Sequence, residues 1–388
     1  MNKVSFLNAF SAISDAVRGK MRDGSRDGAR PVSTKTTMPC LLKRLRMGLL
    51  LLGLLCAATM TAQTPLTWVI SNGTLTISGD GAIPNYGTTS TTRPPWYGAS
   101  FTSISLGSGV TSIGENAFRD GTGLTFVTIP SNIASIGVGA FIGCTNLRTV
   151  TIANGPNVLT IGGNSGNSNN NRSFPDGVET VSFGRNMNRL SGDGVYTNIF
   201  ALFGTGVRQV TITGNNVNTI AASAFRGCTA LTSATIANSV GTIGSYAFSG
   251  CTTLTSINIP DGVTTIDNYA FSGCTNLNSV TMGISVTTVG TNVFSGCTAL
   301  TSIVVEHILS RISSVSEEMF FGCTALTSVT IPTNVIYIGR RAFMNCSNLR
   351  TVTVTDGTNA LTIGGNAAIQ NNNPSFPNGV ETYIWVEM

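Results

Sequence analysis

A short phrase recurs along this chain at a fixed step, and it constrains the fold more strongly than any other feature of the sequence. Residues 247–254 read Ala-Phe-Ser-Gly-Cys-Thr-Thr-Leu, and residues 270–277 repeat them with one change, 23 residues later. The phenylalanine of this phrase recurs at Phe118, Phe141, Phe225, Phe248, Phe271, Phe294, Phe320 and Phe343. Repeats of this length are typical of solenoids, in which each repeat forms one coil that stacks on the next.

Each repeat also carries apolar residues that end in an alternating pair, for example Leu254, Ile257 and Ile259. Alternation with a period of two predicts a short strand. Pro260 follows directly, which fits a strand end because no ladder donor is lost there. A single coil cannot bury its own apolar side chains, so the coils must stack. We therefore predict a repeat solenoid, a rod or horseshoe of about twelve coils with short parallel strands on its concave face and little helix.

The first 98 residues differ from the repeats. Three basic residues between positions 43 and 46 precede twelve apolar residues at 47–58, and small residues follow up to Ala62. This run is shorter than the roughly 20 residues that span a bilayer, and its flanks indicate a secretory signal peptide. We predict a leader at 1–37, a signal peptide at 38–62, a lead-in at 63–98 and a solenoid at 99–388. Because the leader is unusually long, Met38 or Met47 is an alternative start.

A longer duplication is superimposed on the short repeat. Residues 159–164 and 361–366 both read Leu-Thr-Ile-Gly-Gly-Asn, at an offset of 202 residues, and the match continues to 177–180 and 379–382. Each copy inserts a Gly- and Asn-rich segment into the array, near 155–177 and 357–379. Such insertions map to loops on one face of a solenoid and often carry its contacts.

The charge distribution argues against a nucleic-acid partner. Ten of the 22 Lys and Arg and three of the 17 Asp and Glu lie in residues 1–62. Residues 63–388 therefore hold 12 basic and 14 acidic residues, a net charge of −2. A body of this charge lacks the basic stripe that neutralises phosphates.

Seven of the nine cysteines occupy one position of the repeat: Cys144, Cys228, Cys251, Cys274, Cys297, Cys323 and Cys346. Stacking brings their Cα atoms close enough for a disulfide, but parallel Cβ vectors are unfavourable for one. Gly121 and Gly204 hold the same position in other coils, and glycine can replace a small packed residue but not a metal ligand. We predict buried free thiols that act as small apolar side chains, rather than disulfides or zinc ligands.

Residues for catalysis are scarce. His307 is the single histidine, and neither a Gly-x-Ser-x-Gly elbow nor a His-Glu-x-x-His motif occurs. We predict that the protein is not an enzyme and that it needs no cofactor and no metal.

The phrase Ala-Phe-x-Gly-Cys-Thr-x-Leu-Thr-Ser-Val-Thr-Ile-Pro, joined to Val-Thr-x-Ile-Gly, resembles the BspA-like leucine-rich repeats of bacterial surface proteins. The resemblance covers about residues 67–388, and the segments 75–81 and 94–97 look like that family's N-terminal lead-in. It implies a leucine-rich-repeat rod or horseshoe on the cell surface, without enzyme activity. It also implies adhesion to host matrix proteins such as fibronectin and fibrinogen, which some members show.

The outward-facing strand positions hold mostly Thr, Ser and Asn, and a few residues interrupt them. Arg and aromatic residues are enriched at binding hot spots. The candidate binding residues are Phe126, Arg148, Arg208, Gln209 and Arg350, together with Arg172 in the first inserted loop. We expect a secreted or surface-exposed, adhesin-like module whose partner is a protein or glycan, for example a host extracellular-matrix protein.

Other interpretations of the same features stay open. The hydroxyl rows alone are explained by the preference of Thr for strands. A structural surface-layer component that self-associates is the alternative function, favoured by apolar residues near the chain's C-terminal end. Ice binding by the Thr rows is a third class, and it requires a flat, uninterrupted array.

Overall fold

The computed structural model describes residues 63–162, 173–190, 202–355, 361–364 and 375–386. Contacts divide the chain into two units, Met1–Ala62 and Gln63–Met388. The predicted leader, the predicted signal peptide, Arg172 and most of both inserted loops lie outside the described residues, so these predictions stay predictions.

Short strands make up nearly all of the regular structure. In chain order they are β1 (Thr67–Ser71), β2 (Thr74–Ser78), β3 (Gly81–Ala82), β4 (Ser103–Leu106), β5 (Val110–Ile113), β6 (Phe126–Ile129), β7 (Ser135–Ile136), β8 (Thr149–Ile152), β9 (Leu159–Gly162), β10 (Thr180–Arg185), β11 (Met187–Leu190), β12 (Gln209–Asn216), β13 (Thr219–Ile220), β14 (Ser233–Thr235), β15 (Thr242–Ile243), β16 (Ser256–Asn258), β17 (Thr265–Ile266), β18 (Ser279–Thr281), β19 (Thr288–Val289), helix α1 (Ser302–Leu309), β20 (Ser314–Val315), β21 (Ser328–Ile331), β22 (Tyr337–Ile338), β23 (Thr351–Thr355), β24 (Thr362–Ile363) and β25 (Thr382–Val386).

Most coils contribute one strand to each of two ladders. The first ladder runs through the sheets β1-β2-β4, β6-β8-β10-β12-β14, β16-β18 and β21-β23-β25. The second runs through β3-β5-β7-β9-β11, β13-β15-β17-β19 and β20-β22-β24. Among the described strand pairs, only β1 with β2 is antiparallel. The predicted solenoid of short parallel strands is confirmed, and the Val-x-x-Ile pairs of the repeat form the second ladder.

Register places equivalent residues of successive coils side by side. Val150 pairs with Val181, and Val181 pairs with Val210. These valines are fully buried, whereas Thr149 and Thr180, one position earlier, are partly exposed. Because side chains alternate between the two faces of a strand, the period-two pattern of the sequence becomes one continuous apolar interior and one polar outer face.

A column of aromatic rings runs through the interior. Its members are Trp96, Phe118, Phe141, Phe174, Phe203, Phe225, Phe248, Phe271, Phe294, Phe320, Phe343 and Phe376, with successive ring centroids 5.1–6.1 Å apart. Phe174, Phe203 and Phe376 come from coils that lack the repeat phrase. The column therefore continues through the irregular region, because a ring missing from one coil would leave a void between its two neighbours.

All seven repeat cysteines are buried and free, as predicted. In six of them, Sγ donates a hydrogen bond of 3.1–3.4 Å to the carbonyl oxygen of a column phenylalanine. Burial raises the pKa of Cys144, Cys228, Cys274 and Cys346 to about 12. Burial also raises the pKa of Cys251, Cys297 and Cys323, well above the ordinary 9.0.

One predicted strand is wrong. The coil that begins at Leu300 was expected to form a strand like its neighbours, and the structure has helix α1 there, packed against β18 and β21. The spacing between Phe294 and Phe320 is 26 residues instead of 23. A helix rises about 1.5 Å per residue and a strand about 3.3 Å. A helix can therefore accommodate the three additional residues over a similar length of the coil.

Arg185 is the largest fully buried side chain, and a missing donor explains its position. In ordinary coils a turn residue bonds two carbonyls of the preceding coil, as Asn132 Nδ2 does with Gly107 (3.1 Å) and Val110 (2.6 Å). The residue 23 positions after Asn132 is Gly155, which has no side chain to donate. Arg185 reaches past it. Its Nη1 donates to Ser131 and Ile133 and its Nη2 donates to Pro130, at 2.8–3.0 Å.

Candidate functional site

The outer side of the first ladder is the candidate binding surface, and we call it the strand face. Its outward positions are polar and partly or fully exposed, for example Ser103, Thr149, Thr180, Ser233, Ser256 and Ser279. In ordinary coils the residue before the strand is also hydroxylated. Thr232 shows the pattern, because its backbone N–H and its Oγ1 both donate to the carbonyl oxygen of Arg208 in the preceding coil. Most of the strand face is thus uncharged and covered with Ser and Thr hydroxyl groups.

Charged residues replace these threonines in three consecutive coils. The backbone N–H of Glu179 donates to the Arg148 carbonyl, and the N–H of Arg208 donates to the Glu179 carbonyl, both at 2.8 Å. Arg148 Nε lies 3.3 Å from Glu179 Oε1, and each of these two side chains is 46% exposed. The register therefore builds an Arg–Glu–Arg row across the strand face, which the sequence does not show because the three residues are 31 and 29 positions apart.

Two further candidate residues border this row. Phe126 lies directly opposite Thr149, the neighbour of Arg148, and its ring is 48% exposed although the surrounding positions are polar. Gln209 follows Arg208 and is also exposed. Phe126, Arg148, Glu179, Arg208 and Gln209 form what we call the Arg–Glu–Arg patch. It covers four successive coils, or about 14 Å along the ladder at roughly 4.8 Å per coil.

Sequence reasoning missed Glu179 as a member of the patch. The signal that could have found it is the 202-residue duplication, in which Arg148 corresponds to Arg350 and Glu179 to Glu381. In the second copy Arg350 Nε lies 3.5 Å from Glu381 Oε1, which repeats the first arrangement. An arginine followed at a fixed distance by a glutamate, twice in one chain, predicts a pair.

Arg350 lies away from the patch, and its contacts match those of Arg148. Arg148 Nη1 donates to the carbonyls of Thr145 and Leu147 at 2.7 and 3.3 Å. Arg350 Nη1 donates to those of Ser347 and Leu349 at 2.8 and 3.2 Å. Both arginines thus brace the turn directly before their own strand, so substituting either one perturbs structure as well as surface.

The two inserted loops re-enter the solenoid through identical anchors. Ser173 Oγ donates to the carbonyls of Gly137 (3.0 Å) and Gly162 (2.7 Å). Ser375 Oγ donates to those of Gly339 and Gly364 at the same two distances. The phenylalanine after each serine joins the aromatic column. The ends of both loops are therefore fixed in the same way.

The part of the chain that the structure describes offers little other site chemistry. It contains no group of three or more His, Cys, Asp or Glu side chains that could hold a metal ion. His307 lies on α1 and is partly exposed. No helix in the described ranges is long and apolar enough to cross a membrane.

Several solved structures are similar to this chain at low identity. A leucine-rich repeat protein from Eubacterium ventriosum is 23% identical, over 84% of this chain and 92% of that one, with a TM-score of 0.35. One from Bacteroides ovatus is 18% identical, over 84% and 99%, with a TM-score of 0.31. The pneumococcal vaccine antigen PcpA is 12% identical, over 84% and 87%, with a TM-score of 0.25. No curated protein matches the chain.

A protein family matches most of the chain. Residues 92–184, 195–315 and 307–375 match the BspA type leucine rich repeat region, in six copies. These ranges include the repeat phrase, the aromatic column from Trp96 to Phe343 and all five residues of the Arg–Glu–Arg patch. The chain belongs to the BspA-type leucine-rich-repeat family.

Proposed function

We propose that this protein is a non-catalytic, exported binding module that engages a protein partner through its strand face, with the Arg–Glu–Arg patch as the contact centre. One observation carries the proposal. The structure gathers Phe126, Arg148, Arg208 and Gln209 with Glu179 on four adjacent coils of a face that is otherwise hydroxylated. Arg and aromatic side chains are the types that dominate binding energy at protein interfaces, usually near the centre of the contact.

The solenoid suits this role because it presents the patch on a fixed backbone. The patch residues lie in or next to the parallel strands β6, β8, β10 and β12, which are hydrogen-bonded to one another in one sheet. A surface that is ordered before binding loses little conformational entropy when the partner docks. The Arg148–Glu179 pair also holds both side chains in one geometry, so that an exposed guanidinium and an exposed carboxylate reach the partner together.

The charge of the patch indicates the chemistry of the partner. Two guanidinium groups and one carboxylate leave one net positive charge beside an exposed aromatic ring. A partner surface with a carboxylate and an apolar pocket would satisfy both, and guanidinium binds carboxylate in a bidentate geometry. Matrix glycoproteins such as fibronectin and fibrinogen are the first partners to test.

The test measures binding of the purified protein to immobilised fibronectin and fibrinogen at physiological salt. We expect Phe126→Ala and Arg208→Ala each to weaken binding at least about tenfold, the loss expected when a hot-spot side chain is removed. Thr255→Ala, at the equivalent position to Arg208 in an ordinary coil, should leave binding unchanged.

Arg148 requires a control that suffers the same structural loss. Arg350→Ala removes the same set of contacts elsewhere in the array, so binding lost in Arg148→Ala but retained in Arg350→Ala assigns the effect to the patch. Equal affinity of wild type, Phe126→Ala and Arg208→Ala would contradict the proposed site. Self-assembly measured by light scattering, with no binding to either glycoprotein, would favour the structural alternative.

A further inference from the structure

Two recesses lie next to each other near the N-terminal end of the solenoid. Ile83 and Pro84, which follow β3, line both of them. The first recess encloses about 250 Å³ and the second about 430 Å³. Together they reach the size of small-molecule sites, which typically measure about 300–1,000 Å³.

Aromatic and proline side chains line the first recess. Trp96 is one of them and is fixed in place, because its ring stacks on Phe118 at 5.8 Å and its Nε1 donates to the Ala117 carbonyl at 2.7 Å. Trp68 and Tyr86 stand nearly perpendicular to Trp96, at 72° and 77°, with ring centroids 6.2 and 5.7 Å away. Trp68 is 45% exposed, so an aromatic wall is accessible to a ligand.

Polar side chains line the second recess at regular intervals. Ser112, Ser135 and Thr160 occupy the same register position of β5, β7 and β9. They therefore present one hydroxyl per coil, about 4.8 Å apart. Glu115 and Asn85 complete the lining, and the backbone N–H of Glu115 donates to Asn85 Oδ1 at 2.8 Å. The three hydroxyls and the Glu115 carboxylate have no hydrogen-bond partner among the described residues.

This combination selects a class of ligand. An aromatic wall packs against the C–H face of a sugar ring, and hydroxyl, amide and carboxylate groups exchange hydrogen bonds with its hydroxyls. A purely apolar ligand would desolvate the polar row without pairing it, which is unfavourable. Among the described residues, no Lys, Arg or His lines either recess, and one carboxylate does, so an anionic ligand is disfavoured.

We propose that the two recesses form one binding site for a neutral oligosaccharide. One sugar stacks in the aromatic recess, and the following units lie along the hydroxyl row of β5, β7 and β9. The site is independent of the proposed protein contact on the strand face. Trp68, Asn85 and Tyr86 precede residue 92, where the family match begins, so the aromatic wall belongs to the lead-in rather than to the repeat.

Isothermal titration of the purified protein with tetrasaccharides tests the proposal. The panel holds neutral gluco-, manno-, galacto- and N-acetylglucosamine tetramers, with a sulfated and an uronic-acid tetrasaccharide as anionic arms. We expect at least one neutral tetramer to bind with a stoichiometry of one and to change tryptophan fluorescence, and the anionic arms to bind at least tenfold more weakly. Absence of binding by every neutral tetramer, or tighter binding of an anionic one, would overturn the proposal.

Matched variants locate the site. Trp68→Ala and Ser135→Val should each weaken saccharide binding at least tenfold. Val69→Ala alters the neighbouring residue of β1, and Thr265→Val alters the equivalent position of β17 outside the recess; both should bind as wild type does. Saccharide binding that survives both Trp68→Ala and Ser135→Val contradicts the site. Phe126→Ala should leave saccharide binding unchanged, which separates this site from the Arg–Glu–Arg patch.

Discussion

The buried thiol column predicts a steep loss of stability at alkaline pH. A thiol has an ordinary pKa of 9.0, and burial raises it to about 12 in Cys274 and Cys346. Above pH 9 the unfolded chain therefore releases thiol protons that the folded chain retains. The unfolded state then binds fewer protons than the native state, so the free energy of unfolding falls as pH rises. At pH 8 and below this effect is negligible.

The magnitude follows from the two pKa values. Each thiol costs about 0.4 kcal/mol at pH 9 and about 1.4 kcal/mol at pH 10. The four thiols whose pKa is about 12 together cost about 1.6 kcal/mol at pH 9 and about 6 kcal/mol at pH 10. Cys251, Cys297 and Cys323 add to this loss, because burial raises their pKa in the same direction. Domains typically have only about 5–15 kcal/mol of stability, so the protein should approach unfolding at pH 10. Burial raises the pKa of Tyr86 and Tyr269 above their ordinary 10.0, so these groups add little in this range.

Urea unfolding at pH 7, 8, 9 and 10, in the presence of a reductant, measures this loss. The control replaces Cys251, Cys274, Cys297 and Cys323 with Ala, which should fit because Gly121 and Gly204 occupy the same position in other coils. Its absolute stability will be lower, but its loss by pH 10 should shrink to about 4 kcal/mol, because three thiols remain. A second control, Cys274→Ala alone, should reduce the loss by about 1.4 kcal/mol. Identical pH dependence in all three proteins would refute the reasoning.

Three further predictions concern the interior. Arg185→Ala leaves the carbonyls of Ser131 and Ile133 without a donor and removes one of the two donors to the Pro130 carbonyl, so it should lower the free energy of unfolding by about 3 kcal/mol; Gly155→Asn in that background should recover part of the loss, and the lack of any recovery in urea unfolding would contradict the donor role. Phe271→Ala, in the middle of the aromatic column, should cost about 3–5 kcal/mol in the same assay; a cost below about 1 kcal/mol would mean that the column can collapse around the gap. A thiol-specific disulfide reagent at pH 8 should modify none of the seven repeat cysteines in the native protein and all seven after denaturation, and rapid native labelling would show that the coils open locally.

The sequence by itself determined the repeat, the apolar interior and the buried thiols. These depend on periodicity, because a side chain at a given position of one coil meets the same position of the next. Leu254, Ile257 and Ile259 could therefore be assigned to the interior from one coil alone, and the structure buries all three. Cys274 could be assigned to a buried column for the same reason.

Only the tertiary structure decided what happens where the period breaks. The three additional residues between Phe294 and Phe320 signal an irregular coil, but packing between β18 and β21 decides that it becomes α1. The sequence alone gives no reason to bury Arg185. Its partners are the carbonyls of Pro130, Ser131 and Ile133, which lie 52–55 positions earlier in the chain, and Gly155 cannot donate to them.

The candidate sites show the same division. Phe126, Arg148, Arg208 and Gln209 stand out in the sequence as exceptions in polar strands, but register alone brings them together and adds Glu179. The two recesses combine side chains of the lead-in with side chains of three coils. The lead-in does not follow the 23-residue repeat, so the repeat could not predict this combination. The physical reason is that a repeat encodes contacts between equivalent positions, whereas a site is built from positions that are not equivalent.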